Sequence, residues 1–339
     1  MRRIATVLIV CALAVACAGT PHQSSREYSV LSNAALGGDG RWDLLAVDPG
    51  THHVFISRSD HVEVIDGAGG QRLGSIAGTD GVHGIAVAAA LGRGFSTNGN
   101  SNSLTEFDLA SFARIRDIPL SGQSPDAIVL EPISGRLFAF NARSNNVSIV
   151  DPVAGSETAI LAFEGNPELA VHDGHGHVFL NIEDKAQLVE IDASAGVIVH
   201  TWAIEGCEGP TGLAIDAAHR RLFSACDNGV MAITDADSGR QVARLPIGDG
   251  PDGAAFDPTS QDAFSPNGQS GTLTVIHEDD PDHYRVTQTL TTQAGARTIE
   301  LDPSTHRLYL PAARYGPKPD GEKRAPMLPG SFSVIVVAP

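Results

Sequence analysis

Past its first eighteen residues the sequence has no long apolar run and no stretch of helical period, which argues against a helical fold. Basic residues are few. The 23 Lys and Arg face 40 Asp and Glu, a formal charge of −17. A chain this acidic is repelled by phosphate backbones, so nucleic acid and anionic membrane surfaces are poor partners on global charge. The one dense basic stretch is GEKRAP at 321–326. Cysteine is scarce too: there are four, and Cys11 and Cys17 fall within the first eighteen residues. Catalytic signatures are also missing. The sequence holds no G-x-S-x-G, no H-E-x-x-H, no phosphate-binding Gly-rich loop and no C-x-x-C-H, so motifs point to no enzyme class.

What is abundant is turn chemistry: 36 Gly and 20 Pro in a chain that is 42% hydrophobic. The line LAVDPGTHHVFIS at 45–57 returns in looser form as IELDPSTHRLYLP at 299–311. Between them the same pattern recurs. Each copy can be anchored on the polar residue five positions before its turn acid. The anchors are Asp43, His83, Asp126, Glu168, Thr211, Asp252 and Arg297, spaced by 40, 43, 42, 43, 41 and 45 residues. The turn acid is present in six copies (Asp48, Glu131, Asp173, Asp216, Asp257, Asp302), and Ala88 replaces it in the second. An aromatic stands twelve positions after the anchor, as Phe55, Phe95, Phe138, Phe223, Phe264 and Tyr309, with Phe179 at eleven in the shorter fourth copy.

One copy encodes four strands. Large apolar residues at the second and fourth positions after the anchor, such as Leu45 and Val47, give the period of two that marks a strand. A turn such as DPGTHH follows, then a strand around the aromatic, a third strand such as HVEVID and a fourth such as QRLGSI. Four antiparallel strands per 40–45 residues predict an all-β, seven-bladed β-propeller. The seventh copy stops at its third strand, SFSVIVVAP, and a spare strand, REYSVLSNAALGG, precedes the first anchor. The N-terminal strand is therefore expected to complete the last blade and leave no unpaired edge in the ring. Residues 26–339 form one domain in this reading.

Residues 1–18 read as an export signal: MRR, an apolar run and a small-residue cleavage region. Cleavage after Ala18 fits an A-x-A pattern. Cleavage before Cys17 fits LAVAC, which resembles a bacterial lipobox with Ala14 where Leu is usual. In that case Cys17 carries lipid and residues 19–25 are a polar tether. Loss of Arg2 and Arg3 takes the formal charge to −19. The expected location is the periplasm or cell envelope, with a lipid anchor as the sole membrane contact. Cys207 and Cys226 remain. Propeller topology puts both on one face of blade five, and in an exported protein the default is a disulfide.

The starts GPTGLAID, GPDGAAFDP and SPDAIVLEP, with the third-strand ends VIDGAGG, IVDPVAG and ITDADSG, resemble the YncE-like, YVTN-repeat family of seven-bladed propellers. The resemblance covers residues 26–339. It implies a bacterial or archaeal protein, often exported, mostly with no assigned reaction; related propellers include lactonases and domains of redox enzymes. RWD at 41–43 opens a first strand, so it is not a WD-repeat signature, in which the dipeptide closes a third.

The seven anchors begin the innermost strands and should ring one mouth of the central channel. Convergent polar groups at a concave mouth are a default ligand-binding site; the plain alternative is solvation of a water-filled channel. Mutual repulsion should raise some carboxyl pKa values there unless Arg297 or a cation offsets it. Asn-rich loops at 96–102, 141–146 and 265–271 share that face. A long loop at 311–330 reads either as a cap, with Tyr315, Met327 and Leu328 as contacts, or as a mobile surface loop. On the opposite face His175, His177 and His219 invite a metal reading, although turn positions tolerate polar residues and blades splay apart. HEDDPDH at 277–283 reads as a solvated hairpin end. Two functions follow. One is a monomeric, non-catalytic protein that needs no cofactor and binds a small molecule, peptide or envelope protein. The other is a lactonase-like hydrolase whose ring carboxylates hold Ca²⁺ or Mg²⁺.

Overall fold

Period-two apolar patterning in every copy produces sheets, and the repeat makes them equivalent. The computed structural model describes residues 26–319, 321 and 325–339. The signal at 1–18, Cys17 and the tether at 19–25 lie outside the described residues. There are seven four-stranded antiparallel sheets. Blade one consists of Leu45–Asp48, His53–Arg58, His61–Asp66 and Arg72–Ala77 in that order. Blades two to six repeat it. In blade seven, Glu300–Asp302, Arg307–Ala312 and Ser333–Ala338 are joined by the N-terminal strand Ser29–Ala35. That strand pairs antiparallel from Ser29↔Ala338 to Ala35↔Ser333, so the expected closure is present.

The core is divided among the seams. Seven hydrophobic clusters each draw on two successive blades. The repeat aromatics Phe55, Phe95, Phe138, Phe179, Phe223, Phe264 and Tyr309 are 0–1% exposed, and each packs in the seam toward the following blade. Burying one such side chain contributes about 1.5–3 kcal/mol. The aromatic therefore recurs because every seam needs one large filler.

The turns between first and second strands are built by the repeat acids. Asp48 accepts hydrogen bonds from the Gly50 amide (3.0 Å) and the Thr51 hydroxyl (2.9 Å). Four residues after the acid the backbone enters the left-handed region, as at His52 (φ 60°), Arg220 (φ 59°) and His306 (φ 57°). From there the side chain reaches back to the preceding blade's acid: His52 to Asp302 (2.8 Å), Arg220 to Asp173 (2.5 Å) and His306 to Asp257 (2.8 Å). Turn chemistry thus also staples three seams.

Cys207 and Cys226 form a disulfide, with Cα atoms 5.5 Å apart. Cys226 stands where blades two, three and six carry Asn98, Asn141 and Asn267. Those asparagines are buried and clip the second strand to the third, as when the Asn98 amide donates to the hydroxyls of Ser103 (3.1 Å) and Thr105 (2.9 Å). The first asparagines of two Asn-rich loops, and the one in the third, are thus internal clips. The long loop starts later than expected, because Pro311 and Ala312 still belong to a strand.

Candidate functional site

The anchors lie at or just before the starts of the innermost strands. In blades two to five the pairing register slips across the anchor, for example between Val82 and Ile85 and between Pro125 and Ile128. A bulge frees a residue from the ladder and re-aims its side chain. Hydrogen bonds between neighbouring blades hold these positions. Thr97 donates to the Asp126 carbonyl, Thr298 to that of Asp43 (2.9 Å) and Asn181 to that of Gly212 (3.0 Å). A Cβ on Gly212 would fall 2.3 Å from the Gly253 backbone, so this close approach requires glycine.

Six of the seven anchors are ionisable side chains that converge on the mouth. His83 Nδ1 lies 2.6 Å from Asp43 Oδ2 and 3.7 Å from Asp126 Oδ1. Arg297 Nε lies 2.6 Å from Asp252 Oδ2, and its Nη2 is 3.4 Å from Asp43 Oδ1. Around the rim the order is Asp252, Arg297, Asp43, His83, Asp126, Glu168. Thr211 departs from the expected ring. It is buried, and its hydroxyl donates to the Pro251 carbonyl at 3.0 Å, so it serves the seam between blades five and six.

Four carboxyls share one guanidinium and one imidazole. The hydrogen bond with Asp43 raises the His83 pKa against the opposing effect of burial. Burial, then the Asp43 charge, pushes Asp126 up to about 6. Burial pushes Asp252 up to about 7 although Arg297 opposes it. Among the described residues no cation pairs with Glu168. Burial and the charges of Asp126, Glu183 and Asp252 push it up to about 10. Burial is the leading cause of these rises, repulsion among the ring acids adds to it, and Arg297 opposes both.

Below the rim the channel is apolar. A cavity of about 610 Å³ is walled by Leu44, Val87, Val129, Leu169, Ile215 and Ala254 among others. Its acidic wall residue is Glu300, pushed up to about 8 by burial. Sequence reasoning missed Glu300. The signal was available, since the third position after the anchor is Ala or Val in the other six copies: Ala46, Ala86, Val129, Val171, Ala214 and Ala255.

The long loop stands at the rim beside blade seven. Tyr315 and Met327 bridge antiparallel, and the Leu328 amide donates to the Arg314 carbonyl at 2.8 Å. Tyr315 lies 6.2 Å from the Trp42 ring, and the Arg297 guanidinium lies 5.8 Å from that same ring. Tyr315 and Leu328 are exposed, whereas Met327 packs under the loop against the blade seven–one core.

On the opposite face the histidines do not meet as a group. His177 lies 2.8 Å from Glu190, His219 lies 2.7 Å from Asp216, and His175 contacts the Asp173 carbonyl at 2.8 Å. HEDDPDH is not solvated throughout, because Glu278 is buried.

No protein-family model matches the chain, and no curated protein matches it by sequence. Solved structures do. The chain is similar to a chain of Kuenenia stuttgartiensis hydrazine synthase, with 16% identity, a TM-score of 0.68, and coverage of 78% of this chain and 91% of that one. It is similar to the WD40 repeats of RRP9, with 10% identity, a TM-score of 0.75, and coverage of 91% and 97%. U3-55K matches with 10% identity, a TM-score of 0.74, and coverage of 91% and 98%. At these identities the likeness is one of fold, the seven-bladed β-propeller.

Proposed function

We propose that this is an exported, non-catalytic propeller of the YncE-like, YVTN-repeat kind, and that its channel mouth binds a cationic group of a small molecule or peptide. What carries the reading is the surplus of acid at the rim: Asp43, Asp126, Glu168 and Asp252 against His83 and Arg297. A guest that brings positive charge releases the protons that burial retains there, and the resulting carboxylates hold it. The apolar channel beneath accepts its hydrocarbon part, at a volume within the ordinary range for ligand pockets. A lysine or arginine side chain, or an alkylamine, has this build. Export rests on the N-terminal signal pattern and accords with a disulfide.

Calorimetric titration with hexylammonium and with an Ala-Lys-Ala peptide tests the proposal, with hexanoate as the anionic control. The cationic probes should bind, and Asp126→Asn/Asp252→Asn should weaken them at least tenfold. Equal binding of hexanoate, or an unaffected double variant, overturns the reading.

A metal-dependent hydrolase is the second reading. In its favour, ligand atoms of Asp43, His83 and Asp126 lie within 4.8 Å of one another. Against it, the imidazole breaks the all-oxygen set that Ca²⁺ and Mg²⁺ take, and Arg297 places a like charge on Asp43. The donors do not fit either ion, and no hydrolytic step is derived from them.

A further inference from the structure

The seven copies calibrate one another, and the seam between blades five and six breaks their pattern twice. The residue just past the edge of the third-strand pairing is Gly67, Leu109, Pro152, Ala193 and Ala236 in blades one to five, each buried. Blade six puts Glu278 there, after the pair His277↔Asp262. The third residue after the turn acid is a hydroxyl in blades one, three, six and seven (Thr51, Ser134, Ser260, Thr305), but His219 in blade five. A carboxylate in a slot otherwise filled by small or apolar residues is a local conflict of the kind that marks function.

The two departures meet. His219 Nδ1 lies 2.8 Å from Glu278 Oε1 and 2.7 Å from Asp216 Oδ2. Ligand atoms of all three residues fall within 4.8 Å of one another. Asp216 is 2% exposed and Glu278 1%. Neither Glu278 oxygen accepts a properly directed hydrogen bond, and the contact with His219 does not supply one. The single Nδ1–H of His219 is directed to Asp216. The neighbouring Arg221 is committed elsewhere, to Asp235 Oδ2 (2.7 Å) and to the carbonyls of Pro281 (2.8 Å) and His219 (2.9 Å). The Tyr284 hydroxyl also donates to the Pro281 carbonyl, at 2.8 Å. Two buried carboxyl groups therefore face one imidazole, and among the described residues one of them has no hydrogen-bond partner. Such a group is costly unless a cation or proton neutralises it.

We infer that Asp216, His219 and Glu278 form a site for a divalent transition metal of the Zn²⁺ class, which pins blade five to blade six. One imidazole and two carboxylates suit Zn²⁺ or Mn²⁺ better than Ca²⁺ or Mg²⁺. His219 is 35% exposed at its side chain, so its edge of the cluster gives entry from solvent. Asp216 comes from the first turn of blade five and Glu278 from the third strand of blade six, so the ion bridges strands distant in sequence. A metal that binds only the folded state raises the melting temperature. The site lies on the face opposite the channel mouth and stands independently of what the mouth binds.

The test is thermal unfolding of the chelator-stripped, purified protein with one equivalent of Zn²⁺, Mn²⁺, Ca²⁺ or Mg²⁺, alongside elemental analysis after dialysis. Zn²⁺ should raise the melting temperature saturably and remain bound at one ion per chain, and Ca²⁺ and Mg²⁺ should do neither. Glu278→Gln and His219→Gln should each lose the response, whereas Asp126→Asn at the mouth should keep it. The second seam variant covers the case in which one of them fails to fold. A wild type indifferent to Zn²⁺ overturns the site. A response retained in both seam variants, or lost in Asp126→Asn, overturns it equally.

Discussion

At the scale of single residues, the mouth crowds half-buried carboxyl groups whose pKa values rise. Glu168 shows this best, since Asn166 Nδ2 at 3.3 Å is its nearest hydrogen-bond donor and Glu183 lies close by. Its folded pKa is raised from 4.5 to about 10, first by burial. The folded state thus keeps a proton that the unfolded chain releases, and stability falls as pH climbs through that window. Glu168→Gln carries no titrating group. It should match the wild type near pH 4 and gain on it steadily toward pH 9, by a few degrees of melting temperature. Melting curves at pH 4, 7 and 9 check this, and a constant offset across pH refutes the assigned cause. Glu300, raised to about 8 by burial, acts in the same direction over a narrower window.

At the scale of elements, each strand has one outside partner to satisfy, and the ring closes only if the last blade finds its fourth strand. Ser29–Ala35 supplies it, but its side chains are largely exposed, so backbone pairing rather than burial holds it. The anchor just before it is apolar. Tyr28 is 1% exposed, packs edge-on against Phe264 and donates its hydroxyl to Asp262 of blade six at 2.9 Å. Deletion of residues 26–35 should therefore strip both the seam filler and the edge cover. The expected outcome is a melting temperature lowered by more than 10 °C, or loss of the monomer peak on gel filtration as Ser333–Ala338 pairs between molecules. A truncated chain that stays monomeric and melts as the full one does would show that the ring does not depend on this closure.

At the scale of the whole molecule, seven near-equivalent blades spread stability around a ring that carries a formal charge of −17. Its net charge of −17 disfavours electrostatic adsorption to anionic membranes, and a covalent anchor is the route to the membrane that we propose. If Cys17 carries that anchor, metabolic palmitate labelling should tag the wild type and spare Cys17→Ala, and the variant should leave the membrane fraction for the soluble one. An unlabelled, soluble wild type would remove the anchor and leave a freely exported propeller.

The sequence by itself determined the architecture, because each blade must write the same strand period, turn acid and seam aromatic. Seven copies of a local code are legible without knowledge of what they touch. Blade count, strand order and closure by the N-terminal strand follow from position within the repeat, whereas the pairing of Cys207 with Cys226 also needed the expectation of export. The anchors were legible as a ring for the same reason. Tertiary structure alone decided what each anchor does. Thr211 turns to the Pro251 carbonyl while Asp43 binds both His83 and Arg297, because side-chain direction depends on local bulges and on the neighbouring blade. It also decided which polar residues are buried. Asn98, Asn141 and Asn267 read as loop polarity, yet they clip strands. Glu278 reads as part of a charged hairpin, yet its slot faces the preceding blade's turn. Burial and charge pairing arise between blades, across distances that no repeat period records.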